Sequence, residues 1–171
     1  METWEAIRSR RNVRTYEDCS IDPAVLDRIL EAARRTPSSM NQQAWDFIVV
    51  TDRDRLRALS KVWRYAEHVG TSSATIALIA PLSADADERE TYQFDLGQVS
   101  MSVMLAAADQ GIGSCHAAIG EQALAREILG VPEDHECMWL IALGYPADRP
   151  LEAIERPNRR GFDEVVHRDS W

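Results

Sequence analysis

Val99-Ser-Met-Ser-Val-Met-Leu-Ala-Ala-Ala108 is the stretch on which the fold turns. It lies in the longest helical candidate, residues 88–110, and at helical spacing it is apolar almost all round. A helix without a polar face is buried on most sides, inside a large core or between subunits. In a chain of 171 residues, burial between subunits is the more economical expectation. Upstream, Thr75-Ile-Ala-Leu-Ile-Ala80 is apolar on both faces and reads as a buried strand. Downstream, Gly111-Ile-Gly-Ser-Cys115 ends the helix and leads into a short extended segment. Glu121 to Leu129 reads as a short helix closed by Gly130 and Pro132. Met138-Trp-Leu-Ile-Ala-Leu143 reads as a further buried strand, closed by Gly144-Tyr-Pro146.

The first half completes the pattern. Residues 3–10 read as a short helix with Trp4, Ile7 and Ala6 turned inward. Asp22-Pro23 is a helix start, Asp as cap and Pro in the first turn, and Val25, Leu26, Ile29, Leu30 and Ala33 follow at helical spacing. Phe47-Ile-Val-Val50 is a short β-rich run, and residues 52–67 read as an amphipathic helix with Leu56, Leu59, Val62 and Trp63 on one face. The polar tail from Asp148 to Trp171 is expected to be extended. Helices and strands mix without strict βαβ alternation, so the expected class is α+β, a single domain over residues 1–171.

Composition excludes several functions. Net charge is −9, a field that repels phosphate backbones and disfavours general nucleic-acid binding. The longest apolar stretches run to about ten residues, too short to span a bilayer. METWEAIRSRR has no apolar h-region, so the expected compartment is the cytoplasm. Cys19, Cys115 and Cys137 are odd in number and far apart, and the four histidines show no ligand spacing, so neither a disulfide framework nor a metal site is expected.

Three features carry candidate chemistry. Arg8, Arg10, Arg11 and Arg14 cluster near one end, and Arg156, Arg159 and Arg160 near the other. Guanidinium forks suit phosphate oxygens, and a tail folded back onto the first helix would join the clusters around one anion; the plainer reading is two solvated patches. Pro37-Ser-Ser-Met-Asn-Gln-Gln-Ala-Trp45 gathers hydroxyls and amides able to bond a polar heterocycle, or is an ordinary helix exit. Gly111-Ile-Gly-Ser-Cys-His-Ala-Ala-Ile-Gly120 allows close backbone approach to a ligand, or is a tight turn into a strand. It lacks the third glycine of GxGxxG and follows a helix, so it does not support a dinucleotide-binding turn. No GxSxG or Walker loop is present.

In order and spacing these features resemble the nitroreductase family of flavoproteins over essentially the whole chain. Ile7-Arg-Ser-Arg-Arg-Asn-Val-Arg-Thr-Tyr16 is similar to its opening motif, Pro37–Trp45 to its PSSxNxQPW loop and Gly111–Gly120 to its GLGTCW segment. Leu129-Gly-Val-Pro132, Leu143-Gly-Tyr-Pro146 and the tail Arg156–His167 follow in family order. Asn12, Ala44 and His116 stand where the family usually carries serine, proline and tryptophan.

The resemblance implies a nitroreductase-like fold, with a central mixed or antiparallel sheet flanked by helices. It implies a homodimer with FMN across the subunit interface, and ping-pong reduction of a small nitroaromatic- or quinone-like acceptor by NADH or NADPH. By position, Arg10, Arg11, Asn12 and Arg14 would contact the phosphate and ribityl chain, and Arg159 with Arg160 would complete the phosphate site. Ser38, Ser39 and Asn41 would come from the other subunit, and the backbone of Ala117, Ala118 and Ile119 would lie against the ring. His116 is either a proton donor or a spacer beside the ring. A non-catalytic flavin-binding or storage protein on the same scaffold is the alternative function, and a flavin-free anion-regulated interaction protein a third.

Overall fold

The computed structural model describes residues 1–171. Helix α1 spans Thr3–Ser9 and α2 spans Pro23–Arg34, where the Asp22 carboxylate caps the N-terminus by accepting from Ala24 N at 2.7 Å. Strand β1 (Asp46–Val50), helix α3 (Arg53–Leu59) and a 3-10 turn (Glu67–Thr71) lead to β2 (Ala74–Pro81). Helix α4 (Ala86–Asp109) is followed by β3 (Gly113–Ala118), α5 (Gln122–Leu129), β4 (His135–Gly144) and the single-turn α6 (Phe162–Val165).

The strands form one antiparallel sheet in the order β1-β2-β4-β3. Each face of it carries an apolar cluster. Ile76 and Leu78 of β2 pack with Leu26 and Ile29 of α2 and Leu96, Val99 and Val103 of α4. Ala77 and Ile79, pointing the other way, pack with Leu56 and Leu59 of α3 and Ala125 and Leu129 of α5. This is the period-2 alternation of a strand buried on both faces. The register shifts between Leu78, opposite Trp139, and Ile79, opposite Cys137. Met138 is the extra residue of that bulge, and both Met138 and Trp139 then pack on the α2–α4 side. No helix is long and apolar enough to cross a membrane.

Several expectations need correction. The helix expected over 52–67 stops at Leu59. Gly120 N and Glu121 N donate to Val62 O at 2.8 and 2.9 Å, and a carbonyl used there is lost to a helical ladder. Val62 stays fully buried nonetheless. In α1, Ala6 and Ser9 face inward while Trp4 and Ile7 do not; Trp4 is 66% exposed. Helix α4 needs no such correction: one chain buries one of its faces and leaves the other, with Met101 47% exposed, open to the inter-subunit burial expected of it. The tail is extended as expected except for α6, and it folds back so that Ile154 N donates to Arg8 O at 3.0 Å.

Candidate active site

The site is built around the edge strand β3. Residues 10–16 run beside it in extended conformation, with a parallel bridge between Asn12 and Ser114 and a bond from Val13 N to Ser114 O at 3.0 Å. A side chain at Gly113 would overlap Val13, with a Cβ 2.6 Å from its nearest methyl, so glycine is what lets the two segments close. Extended backbone sends successive side chains to opposite sides. Val13 is fully buried, and Arg11 is held by Asp148 in a two-pronged pair at 2.7 and 3.1 Å and by Arg149 O at 2.6 Å. Arg10, Asn12 and Arg14 alternate with these. Arg10 donates to Asn12 Oδ1 at 3.2 Å, and Arg14 makes no hydrogen bond or ion pair within the chain.

Two cavities lie along this segment. The larger, about 920 Å³, is walled by Arg14, Trp63, Arg64, His68, His116 and Trp139, with Ala117 and Ala118 at its edge. His116 stands edge-on to Trp139, centroids 5.9 Å apart. The smaller, about 660 Å³, joins Arg8 and Arg10 to Arg159 of the tail, with Met101 and Leu105 of α4 beneath. The two arginine clusters therefore do meet, through Arg10 and Arg159. Arg160 is turned to Glu164, donating to its backbone carbonyl at 2.8 Å. Arg11, expected at the anion, is instead committed to Asp148, with its side chain 10% exposed.

Electrostatics separates the two cavities. The smaller cavity collects guanidinium charge. In the larger, desolvation first and then Arg10 and Arg14 hold the His116 imidazole below its usual pKa. Desolvation, then Arg14, does the same to His68, so both rings favour the neutral form. His68 is 6% exposed and its Nε2 has no hydrogen-bond partner. A buried nitrogen of that kind is costly unless something polar in the cavity meets it. Burial pushes the Cys115 thiol up, which leaves it an inert packed group. The smaller cavity suits an anionic group and the larger a flat polar ring.

The remaining expected residues lie elsewhere in the chain. Ser38, Ser39 and Asn41 line neither cavity. They form a strained turn in which Met40, Asn41 and Gln43 have positive φ of 49°, 55° and 52°. Ser38 Oγ accepts Gln43 N at 2.9 Å. The Ile119 side chain packs into the cluster under α3 and α5. The Trp63-Arg64-Tyr65 wall was not recognised in the sequence because residues 52–67 read as a plain amphipathic helix, and His68, just past that span, carried no motif. Nor was Asp95, a carboxylate beside Leu96 on the buried face of α4. A charge flanking an apolar helical face was the available signal.

The Nitroreductase family sequence model matches residues 7–71 and 61–145. A protein of Archaeoglobus fulgidus, provisionally named an NADH dehydrogenase/NAD(P)H nitroreductase, is 31% identical over 176 residues, covering 99% of both chains. An FMN-dependent nitroreductase of Clostridium difficile R20291 superimposes with a TM-score of 0.85 at 26% identity, covering 98% of this chain and 99% of the other. A Bacillus subtilis FMN reductase [NAD(P)H] is 24% identical over 157 residues, 90% of this chain and 58% of that protein. The chain belongs to the nitroreductase family.

Proposed function

We propose that the chain is an FMN-dependent oxidoreductase that uses NADH or NADPH to reduce small electrophilic acceptors of the nitroaromatic or quinone type in a ping-pong cycle. It would act as one functional unit over residues 1–171, as a homodimer, in the cytoplasm, where both nicotinamide donors are available. The observation that carries this reading is that two separate cavities lie along one segment, residues 8–16. Arg10 and Arg159 stand in one, and Arg14, His116 and the orphaned His68 Nε2 in the other. The residues fit FMN: guanidiniums for a dianionic phosphate, and a polar, aromatic-walled recess for its ring. The family membership and the names of the relatives support the same cofactor and donor.

Bound FMN supplies the electron transfer between the nicotinamide and the acceptor. The chain's own residues do the rest. Arg10 and Arg159 would hold the phosphate against the overall charge of −9. The Arg14 guanidinium, in the larger cavity, would favour negative charge on a ring held there. Neutral His68 offers a hydrogen bond from the cavity wall, and Trp63 and Trp139 exclude water beside it. His116 either delivers a proton to the acceptor or fills space next to the ring. Dimerisation is supported by the apolar groups a single chain leaves outside, Trp4, Ile7, Phe94 and Met101. It would also bring Ser38, Ser39 and Asn41 to the partner's cavity, since they reach neither of their own.

The test is anaerobic mixing of the FMN-loaded protein with NADH or NADPH in a stopped-flow spectrometer. Bleaching of the flavin bands at a catalytic rate, and reoxidation by a quinone, are expected. A flavin spectrum unchanged by both donors would favour storage and overturn the oxidoreductase reading. Failure to bind FMN at all would overturn the cofactor assignment.

A further inference from the structure

The wall of the larger cavity carries a cation that the cofactor assignment leaves unused. Val62 O takes the two N–H groups of Gly120 and Glu121, which ties the segment after α3 to the end of β3. Gly120 has no side chain, and the Trp63 ring fills the space a Cβ would need. Trp63 is therefore fixed by packing, while Tyr65 next to it is 64% exposed. Their rings meet edge to face with centroids 5.8 Å apart. The Arg64 guanidinium lies over both, 4.7 Å from the Tyr65 centroid and 5.4 Å from that of Trp63. Stacking of this kind orients a guanidinium plane and leaves its N–H edge free.

Nothing in the chain occupies that edge. Arg64 is exposed and makes no hydrogen bond or ion pair, unlike Arg57 with Asp54 or Arg53 with Asp18. Two guanidiniums, Arg14 and Arg64, face one carboxylate, Glu67, around the cavity, and both of its histidines favour the neutral form. The cavity is thus locally cationic in a chain of net charge −9.

We propose that Arg64, held over Trp63 and Tyr65, selects aromatic acceptors that carry an anionic group, with its guanidinium taking a carboxylate or sulfonate. The proposal rests on the oxidoreductase reading above and names the acceptor class within it. The pyrophosphate of a nicotinamide donor has related chemistry, and the half-reactions separate the two.

The acceptors 4-nitrobenzoate and 4-nitrobenzamide share ring and nitro group and differ in charge. With FMN-loaded protein, Arg64→Met is expected to lower the benzoate-to-benzamide ratio of kcat/KM by about five- to tenfold, through KM for the benzoate. Reduction by NADH or NADPH should stay within about twofold. Arg64→Lys should retain part of the preference, and raised salt should erode it. Independently of turnover, calorimetric titration with unreactive benzoate should give a Kd about five- to tenfold weaker in Arg64→Met than in wild type, with benzamide unchanged. An equal loss for both acceptors would mean that Arg64 only packs the wall, and a change confined to KM for the donor would assign it to the pyrophosphate; either overturns the proposal. A wild-type protein that binds no FMN defeats the proposed function instead, and the benzoate titration then still decides whether Arg64 holds an aromatic anion.

Discussion

The Asp95 carboxylate reaches from α4 to the backbone N–H of Ser39, with its two oxygens 3.2 and 3.1 Å from that nitrogen. Asp95 is 3% exposed, and its other partner is the Gln98 side-chain amide at 3.4 Å. No cation stands beside it. A buried carboxylate without a counter-ion is unfavourable, so what it does for the fold lies in the loop it holds. That loop turns through positive φ at Met40, Asn41 and Gln43, conformations that ordinary residues adopt only when their surroundings impose them. Asp95 ties the loop to α4, and the Ser38–Gln43 bond and the backbone bonds from Asn41, Gln42 and Trp45 close it on itself.

Asp95→Ala should therefore destabilise the chain by about 1 kcal/mol, the cost of leaving a half-buried backbone donor without its partner. Asp95→Asn keeps one acceptor oxygen and should lose less than half of that. Chemical denaturation measures both. Equal stability of wild type and Asp95→Ala would mean that the loop needs no anchor.

Arg10 and Arg11 are neighbours with opposite assignments. Arg10→Ala or Arg159→Ala should weaken FMN binding by roughly ten- to a hundredfold, the loss of one charge-assisted contact. Arg11→Ala should act first on folding, because it strips Asp148 and Arg149 O of their donor, and should lower Tm by about 2–4 °C. Arg57→Ala, on an exposed pair with Asp54, should do little to either. Flavin titration alongside thermal melts separates the three; matching effects of Arg10→Ala and Arg57→Ala on FMN affinity would reduce the site to general electrostatics.

The contrast between Arg10 and Arg11 also marks what was legible in the sequence. The strands around Ile76 and Leu140, the Asp22-Pro23 start of α2 and the span of α4 follow from periodicity and capping, which are local. Which arginine faces the cavity depends on residues 10–14 being extended, and their pairing with Ser114 is a contact across 102 residues. The end of α3 was hidden for the same reason, since the Val62 carbonyl is claimed by Gly120 and Glu121 from beyond β3. His68 carried no sequence signal, because its significance lies in burial next to Arg14.

His68 gives stability a predictable pH dependence. Its folded pKa lies below the unfolded value near 6.5, through desolvation first and Arg14 second. The unfolded chain then binds more protons between the two values, so stability rises with pH there. Its contribution is fully present above about pH 6.5 and declines as pH falls through that value. His68→Phe should flatten this slope in a series of denaturation curves. An unchanged slope would shift the effect to His116, whose pKa is lowered in the same direction.

Met101 tests the assembly. It stands 47% exposed on the outer side of α4 and lines the cavity that also holds Trp4, Arg10 and Arg159. Obligate interfaces often bury more than about 2,000 Å² and tolerate a central charge poorly. Wild type should sediment as a dimer at micromolar concentration, and Met101→Glu should shift it towards monomer. A wild-type monomer in ultracentrifugation removes the two-subunit site.

His116 is the one candidate proton donor whose two readings differ in kinetics. It lies on the cavity wall beside Arg14, edge-on to Trp139, with its pKa held low by desolvation and by Arg10 and Arg14. A lowered pKa makes the imidazolium scarce at neutral pH, so a donor would work from a small protonated fraction that grows as pH falls. His116→Phe keeps ring volume and the contact with Trp139 and removes both nitrogens. If His116 delivers the proton, the oxidative half-reaction should slow by roughly a hundredfold and lose its acid-side acceleration, while reduction by NADH or NADPH stays near wild type. If both half-reactions survive the change and keep their pH profiles, the proton comes from water or from the acceptor itself. His116 is then a packing residue, filling the position where the family usually carries tryptophan.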